Sequence, residues 1–109
     1  MVHNVTARQA QELISRGDVE VIDVREPDEF SSGHVPGAKL VPLARLRAAT
    51  KKELRRDGVL FVCAAGVRSE TAARLAASIG LEKVYSLRGG TRGWASAGLP
   101  LVTELSVAV

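Results

Sequence analysis

The chain predicts an α/β domain: a mainly parallel sheet with helices on both faces. Three observations lead there. Short apolar, β-prone segments alternate with segments of helical periodicity, the pattern of strands joined by crossover helices. Two of the strand candidates, 19–24 and 58–62, are near-continuous apolar runs rather than alternating ones, as in buried strands. A length of 109 residues is enough to bury one core without disulfides or metals, so residues 1–109 are predicted as a single domain.

In order along the chain, Thr6-Ala7-Arg8-Gln9 fits a capping box, with Thr6 as N-cap and Gln9 three residues on. Ala7, Ala10, Leu13 and Ile14 continue a helical stripe that Gly17 stops. Val19-Glu20-Val21-Ile22-Asp23-Val24 reads as a buried strand, followed by a turn and a short helix with Pro27 near its first position. Ser31-Ser32-Gly33-His34-Val35-Pro36-Gly37-Ala38 is a turn-rich connection, and Lys39-Leu40-Val41 a short strand. One helix is predicted from Leu43 to about Arg56. Gly58-Val59-Leu60-Phe61-Val62 is the next strand, and Ala72, Leu75, Ala76 and Ile79 give the helix after it, with Gly80 at its stop. Lys83-Val84-Tyr85-Ser86-Leu87 is the last strand. Gly89-Gly90 reads as a flexible joint before a short helix over 91–97, closed by Gly98-Leu99-Pro100. The apolar tail 101–109 has no assigned packing.

Composition excludes several classes. The charge is +3, from 15 basic and 12 acidic residues, and four aromatics without basic interleaving do not suggest a nucleic-acid binder. The denser patch Lys51-Lys52-Glu53-Leu54-Arg55-Arg56 reads as a solvated helix face. One cysteine and two distant histidines, His3 and His34, offer no metal-ligand pattern, and no metal or cofactor is expected. No apolar run is long enough to span a bilayer. The first residues lack the basic and apolar regions of a signal peptide, so a cytoplasmic location is the expectation.

A lone cysteine is by default a small buried apolar residue. The neighbours of Cys63 argue for more. It stands at the carboxyl end of a strand, in the turn Cys63-Ala64-Ala65-Gly66-Val67-Arg68-Ser69 that opens a helix. Ligands of parallel sheets bind at such ends, and Asp23 is placed at the same edge. Backbone amides are free at a helix N-terminus and the dipole is positive there. Ala64, Ala65 and Gly66 let the chain curl around the sulfur, and Arg68 adds charge. A thiol so placed has a lowered pKa and acts as a nucleophile.

Val21-Ile22-Asp23-Val24-Arg25, Gly33-His34-Val35-Pro36-Gly37-Ala38, the cysteine turn, and Gly89-Gly90 with Trp94 and Gly98-Leu99-Pro100 follow one another in the order and approximate spacing of the single-domain rhodaneses. The chain resembles that sulfurtransferase family over most of its length. The resemblance implies five strands in the sheet. It also implies that Cys63 takes a sulfane sulfur from a small-molecule donor, becomes a persulfide, and passes the sulfur to a thiol or protein acceptor, or to cyanide in the test tube. The amides of residues 64–68 would solvate the terminal sulfur anion, with Ala64, Ala65, Gly66, Val67 and Arg68 as the binding turn. Ser69, Asp23 and Arg25 are supporting residues, the last two as a buried ion pair or as a brace for the turn, and Arg68 either binds the donor's anionic part or reaches across to a carboxylate and holds the turn shut, with a mixed role expected. His34 ties its loop by hydrogen bonds, and Trp94 packs in the core with a partner for its N–H. With no second cysteine in this chain, the persulfide must leave to an external acceptor. A monomer or weak homodimer is expected.

Some family members place a basic residue directly after the cysteine; here Ala64 and Ala65 stand there, which predicts weak use of dianionic thiosulfate. Two rival readings remain. One is a rhodanese-fold binding or regulatory module without turnover. The other is a cysteine phosphatase, whose loop has five residues between Cys and Arg where this chain has four, residues 64–67.

Overall fold

Val59-Leu60-Phe61-Val62 is wholly buried, and the molecule is layered around it. The computed structural model describes residues 1–103. Its elements are β1 (Val2–Val5), α1 (Ala7–Ser15), β2 (Glu20–Asp23), α2 (Pro27–Ser31), β3 (Lys39–Leu40), α3 (Leu43–Ala48), α4 (Thr50–Glu53), β4 (Val59–Val62), α5 (Val67–Ser78), β5 (Val84–Leu87) and α6 (Gly90–Ser96). The strands form one five-stranded sheet in the order β1-β5-β4-β2-β3, and every pairing is parallel. β4 is central, and its pleat sends alternate side chains to opposite faces. Val59, Phe61 and Cys63 join a core with Leu46 of α3 and Ala72, Ala73 and Ala76 of α5. Leu60 and Val62 join a second core with Ala7 and Ala10 of α1, Phe30 of α2 and Trp94 of α6.

The local signals act as expected at α1. The Thr6 hydroxyl accepts from the Gln9 amide at 3.2 Å, and the Gln9 side chain accepts from the Thr6 amide at 2.9 Å. Pro27 opens α2. Trp94 donates from Nε1 to the Pro100 carbonyl at 2.7 Å.

Three readings change. β1 is a strand where none was predicted: His3 and Asn4 are exposed, so no apolar run marks it, and its order comes from pairing with β5. The single helix predicted over 43–56 is two, broken at Ala49 (φ −144°, ψ 48°). On an unbroken helix Leu46 and Leu54 would point about 80° apart, yet both are buried in one core; the break reconciles them and leaves Arg55 and Arg56 outside the helix. Of the tail 101–109, residues 104–109 lie outside the described residues. Val102 forms an antiparallel bridge with His34, its amide donating to the His34 carbonyl at 2.9 Å and the His34 amide to its carbonyl at 2.8 Å. Among the described residues no helix is long and apolar enough to cross a membrane, and no group of ligating side chains could hold a metal.

Candidate active site

Cys63 follows the last residue of β4, and α5 begins four residues later. The sharp reversal uses Gly66 at φ +104° as N-cap of α5, backbone that a residue with a Cβ rarely adopts. The turn closes on the sulfur. The Gly66 amide donates to Sγ at 3.1 Å and the Ser69 amide at 3.3 Å. The Ser69 hydroxyl oxygen lies 3.5 Å from Sγ. Burial alone would push this thiol's pKa up; the Ser69 hydroxyl and amide, with the Gly66 and Ala65 amides, more than offset it and hold the pKa below its ordinary value. Of the amides of residues 64–68 expected at the sulfur, that of Gly66 makes a hydrogen bond, and Ser69, one position beyond, supplies the second. Cys63 is 1% exposed, so the sulfur forms the floor of the cradle.

Arg68 does not point into the turn. Its guanidinium makes a bidentate pair with Glu29 of α2, at 2.7 and 2.9 Å. That contact, helped by the Glu26 amide, lowers the Glu29 carboxyl to about 2, and Glu29 in turn raises the Arg68 pKa. The pair clasps the start of α5 to α2. Glu29 is 39 residues away, with no local signal to reveal it. Because its folded pKa lies below its unfolded value near 4.5, the pair stabilises the protein above that pH and its contribution fades as pH falls toward 2. Both side chains are about a third exposed, so the net gain is modest. Glu29→Gln is expected to cost about 1 kcal/mol at pH 7, with the gap closing near pH 2, as read by urea unfolding across pH.

Asp23 and Arg25 form the buried ion pair. Arg25 donates from Nε and Nη2 to both carboxylate oxygens (2.8–3.1 Å) and from Nη2 to the Gly33 carbonyl at 2.8 Å. The pair fixes the loop after β2; neither residue hydrogen-bonds the cysteine turn. His34 shares an Nδ1 hydrogen bond with the Phe30 carbonyl at 2.9 Å and stacks on Phe30, tying its loop as expected.

The Gly89-Gly90 pair is a seat rather than a joint. Gly90 opens α6 with φ +59°, and a Cβ there would lie 2.3 Å from the Cys63 carbonyl oxygen and 2.4 Å from the Ala64 carbonyl. The Thr91 and Arg92 amides donate to those two carbonyls at 2.8 and 3.2 Å. The cysteine turn thus rests on the start of α6. Sequence reasoning also passed over Ser86, whose hydroxyl meets that of Ser69 at 2.8 Å; a small polar residue between Tyr85 and Leu87 of a strand is the available signal.

A cleft of about 330 Å³ flanks the turn, lined in part by Ala65, Gly66, Val67, Arg74 and Arg88. A larger one, about 450 Å³, lies at the other end of the sheet among Lys39, Arg45, Lys52, Arg55 and Arg56, away from the sulfur.

The geometry defines a class: a parallel α/β domain with an amide-cradled cysteine beyond its central strand. The chain belongs to the rhodanese-like domain family, whose model matches residues 6–97. It is 36% identical over 90 residues to the thiosulfate sulfurtransferase GlpE of Tolumonas auensis, covering 83% of this chain and 85% of that one. It is 41% identical over 76 residues to YqhL, an uncharacterized protein of Bacillus subtilis, covering 69% of this chain and 60% of YqhL. Among solved structures it superposes with a TM-score of 0.84 on a rhodanese-related protein of Thermoplasma volcanium, at 32% identity, covering 94% of this chain and 99% of that one. The same score relates it, at 29% identity over 93% of this chain and 85% of the other, to a Rhodopseudomonas palustris protein described as a possible tyrosine phosphatase.

Proposed function

We propose that the protein is a rhodanese-type sulfurtransferase working through a Cys63 persulfide. The observation that carries this reading is the convergence of the Gly66 and Ser69 amides on Sγ. The Cys63 thiolate attacks the outer sulfur of a donor; the S–S bond of the donor breaks, and its electron pair leaves as sulfite or a thiolate. The new Cys63–S–S⁻ carries its charge on the terminal sulfur, one S–S bond beyond Sγ, for which the amides of the turn not bonded to Sγ are the available donors. An external nucleophile then attacks that outer sulfur, and the Cys63 thiolate departs unchanged. No general acid is needed when both leaving groups are weak bases. Burial of Cys63 suits transfer of a single atom, because the donor's outer sulfur enters the cradle while the rest stays outside.

Low-molecular-weight persulfides fit better than thiosulfate. Arg68, in the turn itself, and Arg25, just beyond β2, are both committed to carboxylates. Turnover with thiosulfate and cyanide is expected at a high KM, checked by initial rates against a thiol persulfide. A low thiosulfate KM would show that an uncommitted cation such as Arg88 or Arg92 takes the dianion.

The phosphatase reading is weaker. Its loop arginine must face the bound phosphate, whereas Arg68 faces Glu29. The experiment that decides is mass spectrometry after incubation with thiosulfate or glutathione persulfide. One added sulfur on Cys63, absent in Cys63→Ser, supports the transferase. No adduct from any donor favours a binding module, and Cys63-dependent hydrolysis of an aryl phosphate favours the phosphatase.

A further inference from the structure

Ser86 lies in β5 between Tyr85 and Leu87 and is 1% exposed. A buried hydroxyl is costly unless it is hydrogen-bonded. Among the described residues its side chain has one partner, the Ser69 hydroxyl at 2.8 Å, and that hydroxyl lies 3.5 Å from Cys63 Sγ. The three groups form a row from the interior of the sheet to the nucleophile.

Proton counting gives the row a direction. Each serine hydroxyl has one proton to donate. If Cys63 is ionised, Ser86 donates to Ser69 and Ser69 donates to the sulfur, and both protons are used. If Cys63 is a neutral thiol, the row holds three protons for two contacts, so one donor, the S–H or a serine hydroxyl, is left buried without an acceptor in the row. An orphaned donor costs more than a formed bond gains. Hydrogen bonds in such a row also polarise one another.

We infer that Ser86 is a positioning residue: by donating to Ser69 it aims the Ser69 hydroxyl proton at Cys63 Sγ and favours the ionised nucleophile. It touches neither donor nor acceptor, so its effect passes through Ser69. The transferase reading also relies on an ionised Cys63, but the thiol can be titrated without any turnover. The charged groups near the thiol are Arg68 with its partner Glu29, and the Asp23–Arg25 pair at the end of β2; the substitutions below leave them in place.

The test is the pH dependence of Cys63 alkylation by iodoacetamide, unambiguous because the chain has one cysteine. Ser86→Ala is expected to raise the midpoint by about half a unit, a roughly threefold loss of thiolate below it. Ser69→Ala should raise it at least as far, and adding Ser86→Ala to Ser69→Ala should change nothing more. Ser86→Thr, which keeps the hydroxyl, should titrate like wild type, while its isostere Ser86→Val should shift as Ser86→Ala does. That pair decides the matter if Ser86→Ala does not fold. An unshifted midpoint in Ser86→Ala, or in Ser86→Val, overturns the inference. So does an equal shift when Ser69 is already alanine, because the effect would then be packing. If these shifts appear but no donor ever loads Cys63, the relay stands and the transferase reading falls.

Discussion

Gly90→Ala is expected to cost about 3 kcal/mol or more of stability and to return Cys63 to the reactivity of an ordinary thiol. The added Cβ would meet the carbonyl groups of Cys63 and Ala64 at 2.3–2.4 Å. These are backbone atoms, with no flexible side chain to swing aside. Relief requires α6 and the cysteine turn to separate, which breaks the hydrogen bonds from Thr91 and Arg92 to those carbonyls. The amides that point at the sulfur belong to the same turn and lose their aim. Gly80 is the control: it too has positive φ, +99°, but a Cβ there meets nothing within 4 Å, so Gly80→Ala should cost only about 1 kcal/mol of backbone strain and leave the thiol unchanged. Urea unfolding and the iodoacetamide rate at pH 7 measure both effects. A Gly90→Ala protein as stable and as reactive as wild type would show that α6 does not support the site.

Arg25→Ala is expected to destabilise the fold by about 3–5 kcal/mol. Asp23 is fully buried, and besides Arg25's own amide at 3.0 Å its carboxylate depends on the guanidinium. Removing that group strands a charge in the core and strips the Gly33 carbonyl of its donor. Replacing both partners by apolar side chains of similar size, Asp23→Leu with Arg25→Met, should recover much of the loss, because two charges then need no desolvation. Equilibrium unfolding of the single and double variants gives the comparison. If the double variant is as unstable as Arg25→Ala, the pair is worth more than its own burial and braces something beyond it.

The central architecture could be read without coordinates because its signals are local. Val59 to Val62 is apolar throughout, Thr6 and Gln9 cap each other within one turn, and a cysteine followed by small residues at the head of a helix has few structural uses. What escaped depends on distant partners. β1 owes its order to β5, since its own middle residues are polar and exposed. The break at Ala49 arises from where Leu46 and Leu54 must end up, not from any breaker residue. Arg68 reads either as an anion binder or as a clasp to some carboxylate, and only the fold brings Glu29 beside it. Gly90 announces flexibility in sequence, and only the adjacent carbonyls reveal that its missing side chain makes room for contact.

The parallel topology has a consequence for when the sulfur of Cys63 gains its surroundings. Apart from Glu29, which clasps Arg68 from α2, the partners of the cysteine turn described above come later in the chain: Ser86 on β5, then Gly90, Thr91 and Arg92 at the head of α6. During synthesis Cys63 therefore emerges as a plain thiol, well ahead of the segments that complete its surroundings. The hydrogen-bonded surroundings of the sulfur are therefore complete only once β5 and α6 have docked.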